Sequence, residues 1–453
     1  MPAVSSSASP PIAPDYTGHE WLKARLPTGL VPWLEGAGDS WYQAASSYTT
    51  ELSQALHHLS NPEHWRWPER LVLFFTDLHA DAEAFSASLV ASGVFARNGP
   101  QPSDLALKRP VDQFEIILGG DCLDKGPSNL QLLRLIRHLL DRQVQLTLLS
   151  GNHDLRLQLA IQSLDNPNCP RNGHFLLRLG SKVMPLCVEL LSQYPLSAAE
   201  RSSLPNEHSC EARLMPANDW PDQFRKGAAD TLSPAQIELE LERLTSRKQR
   251  FFAAASQAGL SFQQIYAAMH RWKQLFLQPD GEFHWFIQHQ QLLCQRGSFL
   301  FVHAGCDDAI AQQLVEQDCD SLNTAFQEAR QGEAFALYFG PLGNMLRTKY
   351  RRQDPQLSTR SSQDLITSGI HALVHGHRNL HHGQRITFRA NMIHFECDST
   401  LNSTSRKLEG LSGGGAAVTL IHPQGYVMGI SSDYPSIKFF QPDSLQTITT
   451  QLL

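Results

Sequence analysis

The sequence predicts an α/β fold carrying a large helical insertion. Short apolar runs end abruptly in polar, glycine-rich turns. A helical pattern separates the second such run from the third. All strand signals then lapse between about residues 155 and 297 before returning. Strand, polar turn, helix and strand in succession form a βαβ grammar, and sheets of that kind place their sites where strands reach their carboxyl ends.

In chain order, Leu71–Thr76 is a continuous apolar run of the type buried on both faces of a sheet, and it leads into Asp77-Leu78-His79. Phe114–Leu118 leads into Gly119-Gly120-Asp121. Beyond Gly126-Pro127, apolar side chains at Leu132, Leu133, Leu135, Ile136, Leu139 and Leu140 share one helix face. Val144–Leu149 then reads as a strand and ends in Gly151-Asn152-His153-Asp154. Within the insertion, Ala235–Leu244 and Phe262–Leu277 read as helix. Strand signals return at Ser298–Val302, His371–Val374, Arg385–Phe395 and Ala416–Ile421, the last joined to Tyr426–Ile430 by a Pro-Gln-Gly turn. The expected organisation is a flexible tail over 1–15, a helical or irregular segment over 16–69 and a first catalytic half over 70–160. A helical insertion or cap follows over 161–297, and a second catalytic half over 298–453.

The 38 basic and 44 acidic side chains give a net charge of −6, which does not suggest a nucleic acid as main ligand, since phosphate neutralisation needs a basic stripe. The short basic groups at 247–250 and 347–352 read as solvated faces. Eight cysteines without a CxxC pair read as reduced thiols. No apolar run approaches a membrane span, and the opening MPAVSSSASPPIAPDY has no leader pattern, so the expectation is a cytoplasmic protein without membrane contact.

Five polar motifs lie at predicted strand ends: DLHAD (77–81), GDCLDKG (120–126), GNHD (151–154), VHAG (302–305) and VHGH (374–377). Carboxylate, imidazole and amide ligands suit Mn, Fe, Zn and related divalent ions, and a carboxylate can bridge two of them about 3.5–4 Å apart. Two divalent metal ions per chain are therefore expected, manganese first, with iron, zinc or nickel also compatible. His375 competes with His377, because residues two apart on an extended segment share a side. Asp81 and Asp154 read as helix caps rather than ligands.

D-x-H, GD-x-x-D, GNH-D and two later strand-end histidines resemble the calcineurin-like metallophosphoesterases, over roughly residues 70–160 and 298–430. The resemblance implies a sandwich of two mixed β-sheets flanked by helices. It implies that Asp77, His79 and Asp121 hold one metal, and that Asp121 as bridge, Asn152, His303 and His377 hold the other. A metal-bound hydroxide would attack phosphorus.

The GD-x-x-D and GNH forms are similar to the branch containing serine/threonine phosphoprotein phosphatases and diadenosine tetraphosphatases. That likeness makes His153 a general acid, with Asp124 orienting it and raising its pKa. Lys125, Asn152 and Arg347 would touch substrate phosphate, with Arg156 and Arg351 as further candidates. The pattern departs at Lys125, where that branch usually has Arg, at Ala80 in place of Gly, and at Arg378 after the last histidine.

The expected function is release of phosphate from a phosphomonoester, either a phosphoprotein or a small metabolite. Hydrolysis of a dinucleoside polyphosphate is the nearest alternative. A scaffold that has lost catalysis is opposed by the intact ligands and dyad. A nuclease is opposed by the missing G-H-x-H ending.

Overall fold

The computed structural model describes residues 11–34 and 50–446. Its strands are β1 (Gly29–Pro32), β2 (Leu71–Phe75), β3 (Phe95–Arg97), β4 (Leu105–Leu107), β5 (Phe114–Leu118), β6 (Leu146–Leu149), β7 (Gln290–Gln291), β8 (Leu293–Arg296), β9 (Phe299–Val302), β10 (Ala372–His375), β11 (Arg385–Arg389), β12 (Met392–Glu396), β13 (Ala417–His422), β14 (Tyr426–Ser431) and β15 (Ser436–Phe440). They form an eight-stranded sheet in the order β1-β15-β14-β13-β2-β5-β6-β7 and a five-stranded sheet in the order β11-β12-β10-β9-β8, beside a β3-β4 ribbon. Both sheets are mixed. β2, β5 and β6 run parallel in the first and β9 and β10 in the second, while β13 with β2 and β8 with β9 are antiparallel.

The period-2 alternation of strand side chains makes this a sandwich. From the first sheet Val72, Phe74, Ile117 and Leu149 pack against Phe299, Phe301, Val374, Ile393 and Phe395 of the second. The Phe74 and Phe301 rings meet at 5.5 Å. Leu71, Leu73, Phe75, Ile116 and Leu118 face the other way, toward helices Ala82–Ala91 and Asn129–Asp141. Burying each of these large side chains contributes about 1.5–3 kcal/mol.

Several expectations shift. Arg385–Phe395, read as one strand, is the hairpin β11-β12, turning at Ala390 and Asn391 with φ of 50° and 65°. Its turn lacks the glycine that marks such hairpins in sequence. The segment read as helical or irregular supplies β1, which pairs in parallel with β15, and Trp33, which is buried in the sandwich core. The helical stretch ends at His289, and the chain re-enters the sheets through β7 and β8 rather than at 298. Of the expected tail, residues 1–10 lie outside the described residues. Residues 11–15 are tied down, with Asp15 ion-paired to Lys108 at 2.6 Å. Among the described residues no helix is long and apolar enough to cross a membrane.

Candidate metal centre and cavity

The parallel strands bring five motifs to one edge of the sandwich. Asp77 follows β2, Asp121 follows β5, Asn152 follows β6, His303 follows β9 and His377 follows β10. The connecting backbone is tightly laced: Asp77 N donates to Gly120 O at 3.0 Å, His79 N to Asp121 O at 2.9 Å and Ala80 N to Cys122 O at 2.7 Å. Asp77, His79, Ala80, Asp121, Asp124, Lys125 and His377 all have positive φ, a conformation L-residues rarely keep unless their surroundings impose it. Gly376 permits the closest approach, because a Cβ there would stand 2.0 Å from Asp77 Oδ2.

Among the described residues, two groups of side chains offer ligand atoms within 4.8 Å of one another: Asp77, His79 and Asp121, and Asp121, His303 and His377. Asp121 belongs to both. His303 Nδ1 donates to Gly119 O at 2.8 Å, which leaves Nε2 as a lone pair aimed at Asp121 Oδ1, 3.5 Å away. His79 is set in the same way, with Nδ1 against Leu123 O at 3.4 Å and Nε2 3.7 Å from Asp77 and 3.8 Å from Asp121.

The Asn152 amide oxygen lies 3.2 Å from His303 Nε2, and the same amide position lies 2.8 Å from His377 Nδ1. Turned over, the amide nitrogen would donate to both imidazoles, so the convergence of three acceptors is satisfied only by that turn or by a cation. The donor set of carboxylate, imidazole and amide oxygen fits a divalent ion in each group. His375 takes no part. Its Nε2 faces His394 Nδ1 at 3.3 Å, on the far side of the strand.

Burial raises the Asp77 carboxyl, with Asp121 adding to the effect. Burial also presses on Asp121, but His303, His79 and Lys125 outweigh it and hold that carboxylate below its usual range. Burial, reinforced by nearby cations, pushes His79 and His377 well down, so both imidazoles are neutral, as ligation requires.

His153 Nδ1 sits 2.6 Å from Asp124 Oδ2, and its Nε2 is 4.0 Å from Asp121 Oδ2. The expectation that Asp124 raises the His153 pKa is corrected. Burial, Lys125, His79 and Arg156 lower it well below the ordinary value, while burial lifts Asp124 to about 6. Asp154 holds the turn as expected of a cap. It accepts from Leu123 N at 3.0 Å, Gly151 N at 3.1 Å and Cys122 N at 3.3 Å, and so locks the Asp121 loop to the Asn152 helix. Asp81 likewise accepts from Ala84 N at the start of its helix.

The His/Asp cluster opens into a cavity of about 1310 Å³. Asp77, Asp121, Asn152, His153 and His377 lie along it with Lys125. Lys125 Nζ reaches His79 Nε2 at 2.6 Å. The helical insertion forms one wall through Arg178, Lys182, Arg243 and Arg247. Arg347, from outside the insertion, lies over the Tyr338 ring at 4.4 Å, with Arg178 over the same ring at 4.6 Å. Burial would raise the Tyr338 phenol, but Arg156, Arg178 and Arg347 bring it down to about 6.

Arg247 and Arg347 therefore line the cavity rather than solvated faces. Arg156 was a sequence candidate, whereas Arg178, Lys182 and Tyr338 were not. They sit in helices with ordinary patterning, and only their convergence marks them.

Residues 70–223 match the family model described as calcineurin-like phosphoesterase. No curated protein matches the chain significantly. Similar solved structures include a cold-active protein tyrosine phosphatase, 12% identical over 83% of this chain and 80% of that chain, with a TM-score of 0.43. Another is the corresponding enzyme of a psychrophilic Shewanella species, 11% identical over 82% and 80%, TM-score 0.41. A third is a protein serine/threonine phosphatase from Saccharomyces cerevisiae, 10% identical over 88% and 91%, TM-score 0.35. The family match covers the stretch that carries the first three motifs, and there the chain is similar to calcineurin-like phosphoesterases, while His303 and His377 reach the same sheet edge from outside the matched residues.

Proposed function

We propose that the protein is a two-metal phosphoester hydrolase that releases phosphate from a phosphorylated small molecule. The observation that carries this reading is the pair of His/Asp groups sharing Asp121 beneath a cation-walled cavity. Asp77, His79 and Asp121 would hold one divalent ion, and Asp121, Asn152, His303 and His377 the other, with manganese the first choice among Mn, Fe, Zn and Ni. Bound there, the ions would activate water and neutralise charge on the phosphoryl oxygens.

The chain's own side chains then complete the reaction. Lys125 and Arg347 would neutralise the remaining phosphoryl charge, Lys125 as a point charge where an arginine fork is not available. His153, held by Asp124 at 2.6 Å, would deliver a proton from Nε2 to the departing oxygen once a bound phosphoryl anion offsets the neighbouring cations that help hold its pKa down. The insertion walls the cavity, which supports a small substrate over an extended protein segment.

The test is hydrolysis of p-nitrophenyl phosphate by protein loaded with Mn²⁺, before and after chelation. Turnover that disappears with chelator and returns with metal is expected. Persistent inactivity of the loaded protein would leave a metal-binding scaffold as the better description.

A further inference from the structure

Beside His153 the main cavity gives way to a second, smaller recess of about 100 Å³. It shares His153, Arg156, Lys182 and Arg247 with the main cavity and adds Asp124 and Arg250. Its volume is below the ~150 Å³ void known to take up a benzene ring and near that of three waters, which suits a phosphate and not an aromatic ring.

Its lining is overwhelmingly cationic. Arg178 is answered by Glu240 at 2.7 Å. Among the described residues Arg156, Lys182, Arg247 and Arg250 have no carboxylate within ion-pair distance, and the buried Arg156 Nε has no hydrogen-bond partner. The Arg247 side chain instead donates to the Arg178 carbonyl at 2.7 Å. Mutual crowding shows in the titration of these groups: burial, with Lys125 next, holds the Lys182 amine at about 8, and burial, with Arg156 next, holds Arg247 at about 10. Arg156 has the Tyr338 hydroxyl as its partner, and four cations without a carboxylate partner gathered in a chain of net charge −6 favour an anion.

The position says which part of a substrate supplies that anion. In the hydrolase reading His153 protonates the departing oxygen, so whatever adjoins His153 on the side away from the His/Asp groups would belong to the leaving group. We propose that the recess is a leaving-group subsite that seats a second phosphate, so that the substrate class is a small molecule whose departing portion carries a phosphate of its own. This rests on the hydrolase reading above.

In the step itself the water oxygen bonds to the attacked phosphorus, and the bond from phosphorus to the bridging oxygen breaks with its electron pair. That oxygen takes the proton from His153 Nε2. One hydrogen of the water stays on the released phosphate, and the other returns to the solvent pool that reprotonates His153. No redox partner is needed. Two sources share this chemistry, a phosphoanhydride with the second phosphate directly on the departing oxygen and a bisphosphorylated metabolite with it farther along a carbon skeleton, and the substrates used separate them.

The experiment compares kcat/KM of Mn²⁺-loaded protein on adenosine diphosphate, on a sugar bisphosphate and on p-nitrophenyl phosphate. The variants are Lys182→Gln, Arg250→Gln and the conservative Lys182→Arg. Arg250 is exposed, and Lys182 keeps an exposed stem although its amine is partly desolvated in the recess, so melting curves of each variant accompany the kinetics. The ratio of activity on the phosphate-bearing substrate to that on p-nitrophenyl phosphate is expected to fall about tenfold in each glutamine variant and to recover in Lys182→Arg, the scale of one charge-assisted contact. Calorimetric affinity for inorganic pyrophosphate should weaken in parallel. A fall confined to the diphosphate identifies an anhydride, and one confined to the bisphosphate identifies the skeleton-borne group. Unchanged ratios on both, with unchanged pyrophosphate affinity, would overturn the subsite. Failure of all protein to cleave p-nitrophenyl phosphate would instead sink the hydrolase reading, and the pyrophosphate affinities would still report on the recess.

Discussion

Asp121 is the one side chain common to both His/Asp groups, and its Oδ1 also accepts from His153 N at 2.7 Å. Replacing it with Asn keeps the shape but removes the charge that two cations would share. Asp121→Asn is therefore expected to lose activity and to lower metal content, checked by elemental analysis after dialysis. Full metal content in that variant would mean the bridge lies elsewhere. His153 differs, because it lines the cavity without belonging to either ligand group. His153→Ala should keep its metals yet lose about 10²–10⁴-fold in kcat toward alkyl phosphates, and less toward p-nitrophenyl phosphate, whose leaving group needs little protonation. Equal losses on both would remove the proton-donor role.

At the scale of elements, the site depends on turns that lock to one another rather than on any one strand. Asp154 illustrates this, since its carboxyl serves three amides from two loops and is itself lifted to about 7 by burial and by Asp121. Asp154→Ala leaves three buried donors unanswered, a cost of roughly 3 kcal/mol or more. A lower melting temperature together with weaker metal affinity is expected, because the loop that carries Asp121 is released. Asp154→Asn, which keeps an acceptor oxygen, should lose much less. Similar melting curves for both variants would show that the loops are held by other contacts. The hairpin β11-β12 teaches a related lesson, as its Ala390-Asn391 turn is imposed by cross-strand pairing and not by residues that favour it.

For the whole molecule, buried histidines govern the response to acid. Burial lowers His375 to about 3 and His371 to about 4, and pushes His394 well below its ordinary value. Unfolded, each would titrate near 6.5, so below that pH the unfolded chain takes up protons that the folded chain refuses. This contribution is complete above about pH 6.5 and is lost as pH falls. Asp124 and Asp154 act in the opposite sense, because their raised pKa values let the folded chain bind protons as pH drops from about 7 toward 4. The histidines are the more numerous, so the melting temperature of chelated protein is expected to fall between pH 7 and pH 5. A rise over that interval would mean the carboxyls dominate.

The ligand types, their order along the chain and the strands that deliver them were legible in the sequence, because hydrophobic runs, glycine turns and polar strand ends are local features. The turn without glycine at Ala390-Asn391 was not. His377 could not be separated from His375 by spacing, and only the packing of β10 against β12 turns His375 toward His394. That the cations converge could not be read, although Arg156 and the basic group at 247–250 stood out singly. Arg156, Lys182 and the pair Arg247 and Arg250 come from three separate helices with unremarkable patterning, and a chain of net charge −6 gives no sign that they meet. The sequence by itself determined what metal chemistry the protein can support. Only the tertiary structure decided what faces that chemistry, since convergence of segments tens of residues apart follows from how helices pack on a sheet and leaves no local trace.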